Sequence, residues 1–406
     1  MLTKEQNDRL TKVGAGTPMG ELLRRYWQPV GVSAEITSGG QPVEVKILGE
    51  ELVLFRDTFG EPALLGRRCP HRLTSLGYGR VEDGGIRCPF HGWLFDRAGK
   101  CLQQPAEPVG STFKEKVRQT AYPCRELGGL IFAYMGPSAA EPLLPNYEVL
   151  VREDGTRAMD VYTAGGNFLQ HVEGAIDTSH LSYLHATNWS KTKQLLFAMP
   201  KPDLEFRETD YGLWQKSVLP NITGYGVTAD PVLLFTYFIM PACFLRVQEH
   251  RPGSGLVHKV QSWYVPADDR TTIRYQVAFS PRWPDGTPYV WSTERTEFPT
   301  RANDYFRDYD RVDTISGIPV DAHRTPIQDE LSYTPQDVMA NEEQGEICDR
   351  SYEHLGANDA IVTAMRRLYF SAIDQVEAGT DPKHILRDAR ENTLVQIAGV
   401  EKGELV

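Results

Sequence analysis

Two groups of metal-binding side chains stand out in this sequence of 406 residues. The first is Gln170 to His185, QHVEGAIDTSHLSYLH, which offers Glu173, Asp177, His180 and His185 in a segment whose apolar residues Val172, Ile176, Leu181 and Leu184 recur at helical intervals. At about 100° per residue, Glu173, Asp177 and His180 fall on one helix face. His185, five residues past His180, lies about 140° round an ideal helix. Both imidazoles therefore reach one ion only if the helix ends, bends or bulges between them, and broken helical geometry is predicted around Ser182 to Leu184. Two histidines without a thiolate suit iron, copper, nickel or zinc, and a carboxylate from elsewhere would complete a triad of two His and one acid on one face of an ion. The plain alternative is an amphipathic helix with incidental imidazoles.

The second group is Arg68-Cys-Pro-His-Arg followed by Arg87-Cys-Pro-Phe-His-Gly-Trp. Cys69, His71, Cys88 and His91 thus come as Cys-x-His, sixteen residues, Cys-x2-His. Two short loops with one thiolate and one imidazole each can bind a single zinc, or a [2Fe-2S] cluster with both cysteines on one iron and both histidines on the other. Zinc fingers tend to draw both cysteines from one loop, so the mixed pairs favour a two-iron cluster gripped from both loops.

These side chains need elements to hold them. Thr17-Pro-Met-Gly-Glu-Leu-Leu reads as a short helix with Thr17 as N-cap and Pro18 at its first position. Val43 to Leu48 and Leu52 to Phe55 read as strands between Gly40, Gly49 and Gly60, Trp93 to Leu102 as a hairpin turning at Asp96 to Gly99, and Gly129 to Met135 as a closing strand. Gly136 to Pro145 marks a boundary. Later, Leu204 to Thr209, Leu213 to Leu219, Leu233 to Leu245, Val257 to Val265 and Thr272 to Phe279 read as successive antiparallel strands. Ser280 to Ser332 is irregular and polar, and helices return at Pro335 to Gln344 and Asn358 to Ile373. The expectation is an α+β chain: a helical segment 1–26, a β-rich domain 27–140, and a domain 141–406 with an antiparallel sheet flanked by helices.

With 43 Lys+Arg against 54 Asp+Glu, a net −11 invites neither nucleic acid nor an anionic membrane. The start, MLTKEQNDRL, has no apolar leader, and the run Val232 to Leu245, broken by Thr236 and Pro241, is too short to span a bilayer. A cytoplasmic protein with reduced thiols is expected, in which Cys101, Cys124, Cys243 and Cys348 serve as small buried hydrophobes.

Both Cys-Pro loops, the Cys-x2-His-Gly-Trp ending and the insert Gly77-Tyr-Gly-Arg resemble the Rieske cluster motif. Followed by Glu-x3-Asp-x2-His-x4-His, the whole resembles the α subunits of Rieske non-haem iron ring-hydroxylating oxygenases. The opening Leu2 to Gln6, Gly16 to Trp27, Glu173 to His180, Gln336-Asp337, Gly345 to Arg350 and Glu353-His-Leu-Gly look like the phthalate 4,5-dioxygenase branch. The resemblance implies a helix-grip or START-like catalytic fold. It also implies a [2Fe-2S] cluster with Cys69 and Cys88 on one iron and His71 and His91 on the other, and a mononuclear Fe(II) on His180, His185 and Asp337, with Asp329 and Glu342 as fallbacks. Asp177 would carry electrons toward the iron from the cluster of a neighbouring subunit, which implies a homotrimer or stacked trimers. Glu173 would be polar support or, equally, a surface helix residue, and His171 and Asn167 structural. A flavin and iron–sulfur reductase fed by NAD(P)H would supply electrons, and O2 and an aromatic compound would be the substrates.

Dioxygenation of an aromatic carboxylate of the phthalate, benzoate or phenoxybenzoate type is the main expectation, with O-demethylation of a methoxylated aromatic as the alternative and a pure electron carrier as a third. Substrate-lining candidates are Phe235, Phe238, Met240, Phe244 and Arg246, with Arg246 or Lys216 as the cation for a carboxylate. The strand Leu213 to Leu219 lacks the arginine that phthalate-type relatives tend to carry.

Overall fold

The structure is a computed structural model, and it describes residues 1–184, 203–219, 222–223, 226–227, 232–249, 257–290, 298, 300–312, 319–321 and 334–392. The chain divides into two compact units, Val13–Asn146 with Ile385–Thr393, and Met1–Lys12 with Tyr147–His384. These divisions differ from those expected from the sequence, at 26/27 and 140/141. Among the described residues no helix is long and apolar enough to cross a membrane.

The unit from Val13 to Asn146 is built of small antiparallel sheets. One orders Val43–Ile47, Glu50–Arg56, Pro62–Gly66 and Ala121–Tyr122; another orders Arg80–Glu82, Gly85–Arg87, Leu94–Asp96 and Cys101–Gln103. Turn chemistry sets these hairpins. Asp96 Oδ1 accepts from the N–H groups of Ala98 and Lys100 (3.0 and 2.8 Å), and Gly99 takes φ +76° where a side chain would be strained. Val53, Phe55, Leu65, Ile86, Trp93 and Phe95 form one core, and Cys69 and Cys88 belong to it.

The unit from Tyr147 to His384 is organised on a seven-stranded antiparallel sheet. Its strands are β1 (Gly155–Gly165), β2 (Asp203–Glu208), β3 (Gly212–Leu219), β4 (Val232–Ile239), β5 (Cys243–Glu249), β6 (Val257–Asp268) and β7 (Thr271–Pro281), in the spatial order β1-β7-β6-β5-β4-β3-β2. The run Leu233 to Leu245, expected as one strand, is two. Pro241 has no N–H to give a ladder, and the chain reverses at Met240–Ala242 between β4 and β5. Helices α1 (Phe168–Ile176), α2 (Thr334–Glu342) and α3 (Ala360–Glu377) pack against this sheet or one another. Within the stretch expected to be irregular, Arg307–Val312 pairs with Pro319–Asp321.

Helix α1 is anchored at both ends. Asn167 caps its start, accepting from Leu169 N–H while its amide donates to the carbonyls of Thr11 and Asp269 (2.8 and 2.7 Å). His171 donates from Nε2 to Gly165 O at 2.7 Å, and burial holds its imidazole below the usual histidine range, so it is a neutral structural donor. Gln170 ties α1 to α2 through Asn341 O (2.8 Å).

Candidate functional site

The two Cys-Pro loops share one backbone design. In the first, Cys69 O accepts from Leu73 N–H (2.8 Å) and Cys69 N–H donates to Thr74 O (2.9 Å); in the second, Cys88 O accepts from Gly92 N–H (3.1 Å) and Cys88 N–H donates to Trp93 O (2.8 Å). The residue four past each cysteine is left-handed, Leu73 at φ +63° and Gly92 at φ +73°. Glycine adopts this freely and leucine seldom does, so the matching turn at Leu73 is held by the rest of the loop. The result turns Cys69 and Cys88 inward, 1 % and 3 % exposed, and brings the His71 and His91 rings to 4.5 Å between centroids. Trp93 stacks on His71 at 4.4 Å and 8°.

The donor chemistry fits a two-iron group. His91 Nδ1 is buried with no hydrogen-bond partner, an orphan a metal bond would satisfy. Burial pushes the Cys69 thiol up to about 12, and nearby Cys88 adds to that rise, so this thiol sheds its proton only when a metal takes its place. Thiol lies beside thiol and imidazole beside imidazole, and all six cysteines are free of disulfides. Of the cysteines without partner spacing, Cys101 and Cys243 are buried and Cys124 and Cys348 half-buried.

The second group departs from the helical expectation. Helix α1 stops at Ile176, not near Ser182: Asp177 is its C-cap in extended conformation (φ −74°, ψ 114°), and a new turn runs Leu181–Leu184. Glu173, Asp177 and His180 therefore do not share one continuous helix face. The break has a local cause. The Asp177 Oδ1 accepts from Ser179 N–H (2.7 Å), an alternative to the helical ladder that short acidic side chains provide. Freed from the helix, His180 stands with Nε2 3.5 Å from Asp337 Oδ1 and Nδ1 4.0 Å from Asp177 Oδ2. A nitrogen and an oxygen 3.5 Å apart are long for a hydrogen bond. They are close to the ~3.0–3.5 Å that separates two ligands each about 2.1 Å from a shared ion. His185 lies outside the described residues, and among those described no group of three or more His, Cys, Asp or Glu converges as a single-ion site. Of the fallbacks, Asp329 also lies outside, and Glu342 is engaged with Gly165 N–H (2.6 Å) and the Tyr305 hydroxyl (2.8 Å).

Strand register sorts the substrate-lining candidates. Gln215 of β3 faces Thr236 of β4, which faces Arg246 of β5, so the three share one face of the sheet. That face meets α1, since Arg246 Nη2 donates to Ala175 O at 2.9 Å. Phe238 and Phe244 lie on it too, 5.3 Å apart. Phe235 does not: it pairs with Lys216 on the opposite face and packs on Trp214. Met240 is buried in the turn between β4 and β5. Sequence reasoning named Lys216 from this strand and passed over its neighbours. Gln215 Nε2 donates to Thr178 Oγ1 (2.8 Å) and Ser217 Oγ (3.0 Å), and those two hydroxyls are bonded to each other at 3.1 Å, one residue from Asp177. The signal for them was strand alternation, which sets Gln215 and Ser217 in phase with the buried Leu213.

Glu173 is no loose support. It accepts from Arg350 (Nη2 2.7 Å, Nε 3.0 Å) and Arg366 (Nε 2.6 Å), and Arg366 in turn pairs with Glu353.

Comparison with known proteins joins the two groups. Residues 26–119 match the Rieske [2Fe-2S] domain. Over 99 % of its length the chain is 35 % identical to the 5,5'-dehydrodivanillate O-demethylase oxygenase subunit of Sphingobium sp. (strain NBRC 103272 / SYK-6), covering 88 % of that protein. It is 32 % identical to the phthalate 4,5-dioxygenase oxygenase subunit of Pseudomonas putida, covering 93 % of this chain and 88 % of that one. These values do not single out the phthalate branch. NdmA of Pseudomonas putida CBB5, solved with caffeine, superposes with a TM-score of 0.63 over 88 % of this chain and 93 % of its own at 18 % identity, a likeness of fold. A Rieske domain joined to full-length similarity of this order means that the chain belongs to the α-subunit family of Rieske aromatic ring-hydroxylating oxygenases, and is an oxidoreductase that acts on an aromatic substrate with O2.

Proposed function

We propose that the chain is the terminal oxygenase of a system that removes the methyl group of a methoxylated aromatic. One observation carries this reading over ring dihydroxylation: near-complete coverage at 35 % identity by a relative named as an O-demethylase. Beside Arg246 the sheet face that meets α1 carries neutral Gln215, Thr236 and Ser217, and its second guanidinium, Arg274, is set on the far strands against Tyr162 and Tyr264. The balance is one methoxyarene, O2, two electrons and two protons giving a phenol, formaldehyde and water.

In this reading Cys69, Cys88, His71 and His91 hold the [2Fe-2S] cluster, while His180, His185 and Asp337 hold Fe(II), the ion that would supply O2 activation. The chain's own contribution is placement. The helix break at Asp177 turns His180 toward Asp337, Arg246 fixes the end of α1, and the sheet of helix-grip, START-like kind backs the substrate. An NAD(P)H-dependent flavin and iron–sulfur reductase would be the donor, and a ring of three identical chains would bring one subunit's cluster to the next subunit's Asp177.

Asp177→Asn is expected to lower substrate-dependent O2 uptake by about 10- to 100-fold, the usual scale for a carboxylate behind a metal-bound histidine. The cluster's visible absorbance should stay unchanged; an unaltered rate would remove Asp177 from the electron path. For the reaction itself, the test is turnover of a panel of methoxybenzoates and unsubstituted benzoates with a matched reductase. Stoichiometric formaldehyde is the expected product, and a cis-dihydrodiol without formaldehyde would overturn the reading in favour of dioxygenation.

A further inference from the structure

Two polar atoms on the sheet face that meets α1, within one hydrogen bond of Thr178, have nothing to bond to. Gln215 Oε1 and Thr236 Oγ1 are buried with no hydrogen-bond partner, and both residues are 1 % exposed. They are register partners on adjacent strands, β3 and β4, with side chains on the same face. A buried polar group left unpaired has lost its water without gaining a partner, so two side by side are a cost that a ligand would relieve.

The orientation of the Gln215 amide follows from counting hydrogens. Three contacts link Gln215, Thr178 and Ser217: amide to Thr178, amide to Ser217, and hydroxyl to hydroxyl. With Nε2 inward, its two hydrogens serve the first two contacts and a hydroxyl hydrogen serves the third. With Oε1 inward, two hydroxyl hydrogens would have to serve three contacts. The amide nitrogen is therefore inward, and the free atom is a carbonyl acceptor. Beside it, Thr236 carries a hydroxyl that can donate.

We infer that Gln215 and Thr236 form a subsite for an uncharged hydroxyl on the substrate ring, a phenol whose O–H donates to Gln215 Oε1 while its oxygen accepts from Thr236 Oγ1–H. This deepens the reading of the site as an oxygenase pocket and rests on it. An ionised carboxylate is acceptor-only and has no hydrogen for Gln215 Oε1, so it does not satisfy the pair. A ring carboxylate is left to Arg246, next in the row.

The test uses phenol and toluene, equal in size, as probes on the iron-loaded protein. Phenol is expected to bind about tenfold tighter than toluene, read by thermal shift or by competition with a turned-over substrate. Thr236→Val removes a hydroxyl that bonds to nothing else, so it should fold with unchanged or higher Tm, and it should erase most of the phenol preference. Gln215→Leu should erase it too, at some cost in stability, because the Thr178 and Ser217 bonds go with it. Equal binding of phenol and toluene by the wild type, or a preference that survives Thr236→Val, overturns the subsite and leaves two merely unsatisfied atoms. Failure of the O-demethylation reading is seen separately, as missing formaldehyde, and does not alter the phenol–toluene comparison.

Discussion

Replacing Asp337 with alanine is expected to bring substrate-dependent O2 uptake to background while leaving the red-brown cluster intact. Asp337 opens helix α2, between Gln336 and Val338, which are 3 % and 1 % exposed and fix the helix against its neighbours. Its carboxylate is thereby carried to 3.5 Å from His180 Nε2, although the two residues are far apart in sequence. With only three protein ligands proposed for the ion, loss of the one anionic ligand removes both charge and grip, and the iron content should fall from about three per chain to about two. Polarisation by a bound metal is worth several kcal/mol, so the rate should drop by ~1,000-fold or more. Asp337→Glu keeps the charge on a longer arm and should retain part of the iron and part of the rate. A variant at Asp337 that keeps full iron and full turnover would assign the third ligand elsewhere.

The pair of Cys-Pro loops was legible because each ligand set is local: a thiolate and an imidazole two or three residues apart, closed by a turn that Gly92 announces. The second site was legible only in part. Apolar spacing runs on smoothly from Val172 to Leu184, so periodicity extends a helix through a point where the Asp177 side chain captures Ser179 N–H and ends it. Periodicity registers burial, whereas this break is made by a hydrogen bond, to which apolar spacing is blind. Asp337 is proposed from the family resemblance alone, since nothing in its sequence surroundings distinguishes it from other helical acids; what the structure adds is its approach to His180 Nε2. The hidden partners were those that tertiary structure alone brings together: Gln215 with Thr178, and Arg350, with no exposed surface, against Glu173. A buried arginine leaves no mark in composition, because its sequence neighbours look the same as those of an exposed one.

Glu173→Ala is expected to destabilise the larger unit by about 3–5 kcal/mol, the scale for stranding a charge when a buried pair is broken. The Arg350 side chain is 0 % and the Arg366 side chain 5 % exposed, and among the described residues Glu173 is the one carboxylate paired with both. Glu353 would still neutralise Arg366, so the larger part of the loss is the isolated Arg350 guanidinium, left with Asn7 Oδ1 and the Cys348 carbonyl. In calorimetry this corresponds to a Tm lower by roughly 10 °C for a domain of this size. Glu173→Gln preserves shape and one acceptor and should lose less. The pH dependence has a definite sign. Burial alone would raise the Glu173 carboxyl, but the two guanidiniums outweigh it and hold it below the ordinary range. A depressed folded value contributes stability that is fully present above the unfolded pKa of about 4.3 and is lost as pH falls through the lower folded one. The stability gap between wild type and Glu173→Gln should therefore be wide at neutral pH and close on acidification below about pH 4; a gap that stayed constant through that range would show that charge is not what Glu173 contributes. The proposed iron site lies one step away: Asp177 N–H bonds to the backbone carbonyl of Glu173 (3.1 Å), so a helix α1 loosened at Glu173 is loosened where it releases the chain toward His180. Loss of iron from Glu173→Ala at temperatures well below its Tm is the outcome that follows.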